Sequence, residues 1–320
     1  MSDLTFSDYV AEMMRLYERQ AYAEAYAWVM EHAHSFPAYT ARIYFWRTCL
    51  AARQHDTPLA LRDMKEGLAA GHWYDGAQLR ADSDLAPLQG LPEFERMAAL
   101  SQQRQADAQT LIKPTLSTLA PDETRSTYPV LLVLHGGGMD EETFYQSFFN
   151  YWRPVLAAGW LLAAPHSSQL SAPGQRGWSD NDKSVSEITQ HLANLRVQYS
   201  LDQTRVVVGG FSRGAELAAY LTLSGAIDVR GFIAVAPGGP FTAAPQLWRA
   251  TITDLGRRKH GYLIAGHQDE MSLRGARELK EILDSNQIAC EIETHPNLKH
   301  EFPPTFEQSL AKALNFILEN

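Results

Sequence analysis

Residues 204–220 read TRVVVGGFSRGAELAAY. Val206-Val207-Val208 is β-branched and stiff at χ1, which disfavours helix and predicts a short buried strand. Ala215, Leu217, Ala218, Ala219 and Tyr220 are apolar at three- and four-residue spacing, which predicts a helix. Between the two lies Gly210-Phe211-Ser212-Arg213-Gly214, a G-x-S-x-G sequence. Such a match arises by chance in any glycine-rich chain, and read alone it is a tight turn. Its weight comes from order, because strand, sharp turn and helix follow one another as the serine-presenting turn requires. A serine at that turn projects its hydroxyl clear of the sheet. Side chains two residues before and after it would collide where strand and helix cross, which explains Gly210 and Gly214.

Working outward, strands and helices alternate on both sides. Leu116–Leu119 predicts an edge strand, broken by Pro121-Asp122. Tyr128–Leu134 is a continuous apolar run, as expected of a strand covered on both faces. Trp160–Ala164, Phe232–Ala236 and Tyr262–Ala265 repeat that character, and a further strand is expected near Cys290–Thr294. Ser184-Val185-Ser186-Glu187 has the spelling of a capping box and is taken to open a helix that runs to about Tyr199. Further helices are expected from about Leu273 to Ser285 and from about Thr305 onward. This alternation predicts an α/β domain with a mainly parallel sheet and helices on both faces.

A serine hydroxyl is a weak nucleophile without a base, and the base needs a third group to fix its tautomer. In an open α/β sheet, such groups belong in loops after the carboxyl ends of strands. Gly266-His267-Gln268-Asp269-Glu270 follows one strand and offers Asp269, with Glu270 as its competitor. Asn297 to Pro303 follows the next and offers His300, which is preferred to His295 at the strand end. Leu134-His135-Gly136-Gly137-Gly138 follows the first buried run. A glycine loop can point amides at one spot, and with the amide of Arg213 it can hold an oxyanion; Gly137 and Gly138 are the candidates. No G-x-x-x-x-G-K-[ST] or G-x-G-x-x-G occurs, so this is not read as a nucleotide loop. His32 and His34 lack the spacing of a zinc helix, and His135 is read as ordering its loop. Arg176, Trp178, Asp180 and Asp182 lie in a long polar loop, read either as shaping the pocket or as solvated, and are not counted among the site residues.

The first third has another character. Stripes at Tyr9, Met13, Leu16 and Tyr17, then Tyr22, Tyr26, Val29 and Met30, then Ile43, Trp46, Cys49 and Leu50, then Leu59, Leu61, Met64 and Leu68 predict consecutive helices. The polar stretch Gln102–Asp107 is expected to end them, which places a helical domain at 1–108 and a second domain at 109–320. Tyr22, Ala25, Val29 and Pro37 are echoed about 35 residues later by Thr57, Ala60, Met64 and His72. Tyrosines and tryptophans in this third are read as core.

Residues 128–303, with HGGG, GFSRG, the Asp after GHQ and the HEFP ending, resemble the α/β-hydrolase superfamily in its esterase and carboxylesterase/phospholipase branches. The front end resembles degenerate tetratricopeptide repeats. The first resemblance implies an α/β-hydrolase fold and a serine hydrolase of carboxylic esters that uses Ser212, Asp269 and His300 and needs no cofactor. Amides of Gly137, Gly138 and Arg213 would form its oxyanion hole. About twenty residues separate Pro237 from His260, so the large inserted cap of many relatives is absent. The helical domain is then expected to act as a lid, a homodimer contact or a surface for another protein. A peptidase or thioesterase on the same scaffold, or an interaction module, remain the other readings.

The 320 residues carry a net charge of −9, from 28 basic and 37 acidic side chains, without a basic cluster, which argues against a nucleic-acid partner. No apolar run is long enough to cross a bilayer, and the acidic opening does not read as a signal peptide. Cys49 and Cys290 read as buried thiols, which fits a reducing cytoplasm.

Overall fold

The computed structural model describes residues 4–319. The chain divides into two compact units, one running through Leu111 and including Leu170–Pro173, the other built from Ile112–Gln169 and the residues from Gly174 onward.

Apart from the short strand Leu170–Ala172, the first unit is helical: α1 (Phe6–Glu18), α2 (Tyr22–His32), α3 (Thr40–Arg53), α4 (Thr57–Ala69), α5 (Gly76–Ala81) and α6 (Pro92–Leu111). Successive helices from α1 to α4 pack as neighbours. Tyr9, Met13, Leu16, Ala25, Val29, Ile43 and Leu50 form one core, and Cys49, Ala60, Met64, Leu68 and Phe94 a second. The α2 stripe differs from expectation. Ala25 and Val29 are buried, whereas Met30 is 44% exposed. Most of the aromatics are half-buried, with hydroxyls engaged, as where Tyr26 donates to Asp63 at 2.7 Å. Gln102–Asp107 does not end the helices, because α6 runs through it. Its side chains are spoken for: Arg104 donates to the carbonyl of Leu68 at 2.6 Å, and Gln105 to Asp75 at 2.9 Å. The alanines of the 35-residue echo, Ala25 and Ala60, are both fully buried. However, α4 is followed by a six-residue helix and a 3-10 turn at Ser83–Leu88, not by a second long helix. Tetratricopeptide architecture is therefore not established for this unit.

The second unit is a seven-stranded sheet: β1 (Thr115–Leu119), β2 (Tyr128–Leu134), β3 (Leu161–His166), β4 (Leu201–Phe211), β5 (Gly231–Val235), β6 (His260–Gly266) and β7 (Cys290–His295). Their spatial order is β1-β3-β2-β4-β5-β6-β7. Only the edge strand β1 runs antiparallel to its neighbour. The apolar runs are continuous because each strand feeds two cores. Val130, Leu132, Val206, Val208, Phe232 and Leu263 face one, under α7 (Asn181–Gln198), α8 (Arg213–Leu223) and α9 (Glu270–Ser285). Leu131, Val133, Val207, Ile233, Val235 and Ile264 face the other, with Trp152 and α10 (Phe306–Glu319).

Two helix starts depart from the sequence reading. Helix α7 begins at Asn181, capped by Asp180, whose carboxylate accepts the Lys183 amide at 3.0 Å. Ser184 therefore lies a turn inside the helix, and Glu187 turns inward to bind the hydroxyl of Ser168, so the expected capping box does not form. Helix α9 begins at Glu270, three residues earlier than expected, because Asp269 caps it.

Candidate active site

The turn between β4 and α8 is as tight as the glycines imply. A Cβ on Gly210 would lie 2.3 Å from the Gly214 carbonyl, and one on Gly214 would lie 2.1 Å from the carbonyl oxygen of Leu134 at the end of β2. Ser212 adopts φ 55°, ψ −121°, a conformation an L-residue takes only when its surroundings impose it. The surroundings are specific. The Ser212 amide donates to Val235 O at 2.9 Å, and its carbonyl accepts from the Gly238 amide at 3.1 Å and from the Ala215 amide at 3.0 Å. Gly238 was not singled out from the sequence, although it follows a buried strand as half of a glycine pair. A Cβ there would sit 3.4 Å from Ser212 Oγ.

The loops after β6 and β7 converge on the same spot. The His267 amide donates to His295 O at 2.9 Å, and the Gln268 amide to Leu298 O at 3.0 Å, so the two loops are stapled together. A Cβ on Gly266 would meet Leu298 O at 2.0 Å, which is why glycine ends β6. Asp269 Oδ2 then lies 2.6 Å from His300 Nδ1, and His300 Nε2 lies 2.9 Å from Ser212 Oγ. The Asp269 side chain is 10% exposed and that of His300 is 44% exposed. Glu270 is exposed at the first turn of α9, and His295 Nε2 lies 2.9 Å from Glu293, so neither competitor joins the group. Ser212, His300 and Asp269 form a continuous relay.

The glycine loop after β2 is held from below. His135 is fully buried, and burial pulls its pKa down to about 3, so the ring is neutral. Its Nε2 lies 3.2 Å from the Ser167 amide, a donor, so the ring proton must sit on Nδ1, which donates to Gly136 O at 2.7 Å. That bond pins the Gly136 carbonyl toward the ring, and a trans peptide then turns the Gly137 amide the opposite way. Gly137 is exposed and lies beside Arg213, a Cβ on it falling 3.8 Å from Arg213 Cβ. The Arg213 amide occupies the first position of α8, where no carbonyl one turn earlier in the helix can accept it.

Trp178 and Arg213 complete this support. The indole of Trp178, 1% exposed, donates to His135 O at 2.8 Å. The Arg213 guanidinium donates to Trp178 O at 3.0 Å, Asn181 Oδ1 at 2.6 Å and Glu216 Oε1 at 2.8 Å. Glu216, itself buried, also accepts the Thr242 amide at 2.7 Å. The segment read as a polar loop is therefore structural: Trp178 is buried, Asp180 caps α7, and Arg176 donates to Ser167 O at 2.9 Å. A buried tryptophan needs a partner for its N–H, and that requirement was the available signal.

With this geometry in hand, family comparison is decisive. The phospholipase/carboxylesterase family matches residues 122–318, well over half of the chain. The chain belongs to the phospholipase/carboxylesterase family. Within this carboxylesterase-family chain, residues 5–109 match the A/B hydrolase-like N-terminal domain. No curated protein sequence matches significantly. Among solved structures, an uncharacterized protein from Bacillus cereus ATCC 10987 is 28% identical with a TM-score of 0.53, covering 98% of this chain and 99% of its own. Esterase PE8 is 18% identical with a TM-score of 0.50, covering 63% of this chain and 97% of its own, and shares the fold. The carboxylesterase-family domain thus has the α/β-hydrolase fold with a mostly parallel sheet, preceded by an all-helical domain.

Among the described residues, three donors of metal-ligand type meet at Cys49, Asp82 and Asp84 in the helical unit. The two carboxylates already accept hydrogen bonds, and the thiol resists ionisation. Asp84 accepts from Tyr17 at 2.6 Å, Asp82 accepts the Asp84 amide at 2.9 Å, and burial raises the Cys49 thiol pKa well above its usual value. No helix among the described residues is long and apolar enough to cross a membrane.

Proposed function

We infer that this protein hydrolyses carboxylic esters through an acyl-enzyme, with Ser212 as nucleophile, His300 as general base and acid, and Asp269 as the group that orients His300. The observation that carries this reading is the relay of 2.9 Å and 2.6 Å linking Ser212 Oγ, the His300 ring and Asp269. Asp269 accepts a hydrogen bond from Nδ1–H, which keeps Nε2 unprotonated and able to take the serine proton. Ser212 Oγ then bonds to the acyl carbon, and the carbonyl oxygen becomes an oxyanion facing the amides of Gly137, Gly138 and Arg213. Collapse expels the alcohol, which leaves with the proton returned from His300. Water, deprotonated in turn by His300, attacks the acyl-serine, and the acid is released as His300 returns that proton to Ser212 Oγ.

The substrate class is a small ester, and no step calls for a cofactor. The exposure of His300 supports an open site that water reaches for the second half of the cycle. The domain division proposed is 1–108 for the helical domain and 109–320 for the catalytic one, with α6 running three residues past that boundary to Leu111.

The test is hydrolysis of p-nitrophenyl esters from acetate to long acyl chains by wild type and Ser212→Ala. Turnover that vanishes in the variant is expected. Equal rates in the two proteins, or none from either, would overturn the assignment. Parallel assays on thioesters and amides read which leaving groups the site accepts.

A further inference from the structure

Beside the relay, three aromatic rings stand in a row that starts at His300. The Phe211 ring centroid is 5.1 Å from that of His300, and Phe211 stacks on Phe302 at 4.8 Å and 20°. Phe302 stacks on Tyr151 at 4.2 Å and 11°. The row is fixed edge-on, since Phe302 meets Trp152 at 5.8 Å and 88° and Phe306 at 4.8 Å and 71°. Phe211 and Phe302 are half-buried, and Tyr151 is 44% exposed. Core packing accounts for the inner rings, but an exposed tyrosine held flat against Phe302 extends the row past what the core requires. The result is a rigid shelf of ring faces and edges, ordered before any ligand arrives.

The position of the shelf says which part of a substrate would use it. In the ester-hydrolase reading, on which this inference rests, His300 Nε2 returns its proton to the leaving oxygen. The alcohol therefore departs alongside His300, whose ring lies 5.1 Å from that of Phe211. We propose that the Phe211–Phe302–Tyr151 shelf receives the leaving alcohol and selects alcohols that carry an aromatic ring. Stacking on such a row is worth roughly three- to ten-fold in affinity over a saturated ring of equal size.

Benzyl alcohol and cyclohexylmethanol are matched probes, because they differ in aromaticity and little in size. Titrated by NMR into full-length Ser212→Ala, benzyl alcohol is expected to bind several-fold tighter. Adding Tyr151→Ser should shrink that difference, and Phe302→Leu, which keeps the apolar volume, should shrink it as well. Equal binding of the two alcohols, or a preference untouched by both substitutions, would overturn the proposal. Wild-type hydrolysis then reads the side. Benzyl acetate should outrun cyclohexylmethyl acetate in kcat/KM, while methyl phenylacetate and methyl cyclohexylacetate should be close. A preference confined to the acyl pair would overturn the assignment to the leaving alcohol. Failure to hydrolyse any of the four esters would sink the esterase reading, whereas the binding titration judges the shelf by itself.

Discussion

The Arg213 guanidinium donates to Trp178 O at 3.0 Å, and the Trp178 indole donates to His135 O at 2.8 Å. The residue after the candidate nucleophile is thereby tied to the loop that would hold the oxyanion. The tie is made in a buried setting, where hydrogen bonds from a charged group are worth about 1.5–3 kcal/mol each.

Arg213→Lys keeps the charge but cannot supply three donors in one plane. It is expected to lower kcat about ten- to a hundred-fold with KM nearly unchanged, because the oxyanion amides matter chiefly in the transition state. Steady-state kinetics on one p-nitrophenyl ester separate the two constants. A change in KM alone would contradict the positioning role.

Asp269 has two tasks, since Oδ2 faces His300 while Oδ1 accepts the Ser272 amide at 3.3 Å as the cap of α9. Asn caps a helix about as well as Asp but holds the imidazole in the wrong tautomer. Asp269→Asn should therefore melt near wild type while losing about 10⁴ in kcat. Asp269→Ala should lose activity and about 1 kcal/mol of stability as well. Thermal melts run beside the kinetics distinguish the pair.

Gly214→Ala would drive a Cβ to 2.1 Å from Leu134 O and 2.4 Å from His135 O, backbone atoms that have nowhere to go. Loss of soluble folded protein is expected. Gly137→Ala meets nothing closer than 3.8 Å and should melt close to wild type. Expression yield and melting temperature compare the two directly.

Acid should destabilise the fold through two buried imidazoles. Burial pulls His135 down to about 3 and His166 to about 4, against about 6.5 in an unfolded chain. Between those limits the unfolded chain takes up protons that the folded chain refuses, so stability falls as pH drops. Each group contributes a slope of up to ~1.4 kcal/mol per pH unit between its two pKa values, absent well above pH 6.5 and exhausted below the folded pKa. Melting temperature should decline from pH 6.5 to 4.5. His166→Phe, which can keep the stacking on Phe144 seen at 4.5 Å, should flatten that decline. An unchanged slope would mean that other groups govern it.

Much of this was legible in the sequence because the deciding residues are close together along the chain. The Val206–Tyr220 stretch contains its own strand, turn and helix, and Asp269 and His300 each follow a strand end. What stayed hidden depends on distant partners. Trp178 read as part of a polar loop because its acceptor, His135 O, lies 43 positions earlier. Ser184 and Glu187 spell a capping box, but Asp180 takes the cap and Ser168 takes Glu187. Gln102–Asp107 looks like a linker until the carbonyls that Arg104 binds are known. Local patterns predict elements, whereas the ownership of a polar side chain is decided by residues that local patterns do not see.

The double duty of Asp269 has a bearing on how related sequences are read. A chain that had lost its catalysis would still need a cap for its penultimate long helix, so selection for folding alone would keep Asp or Asn there. His300 is different, because among the described residues its ring hydrogen-bonds only to Asp269 and Ser212. In a relative that retains the serine turn, the aspartate is thus weak testimony to living chemistry. The histidine, free to drift in a chain that does no such chemistry, is the residue whose survival is informative.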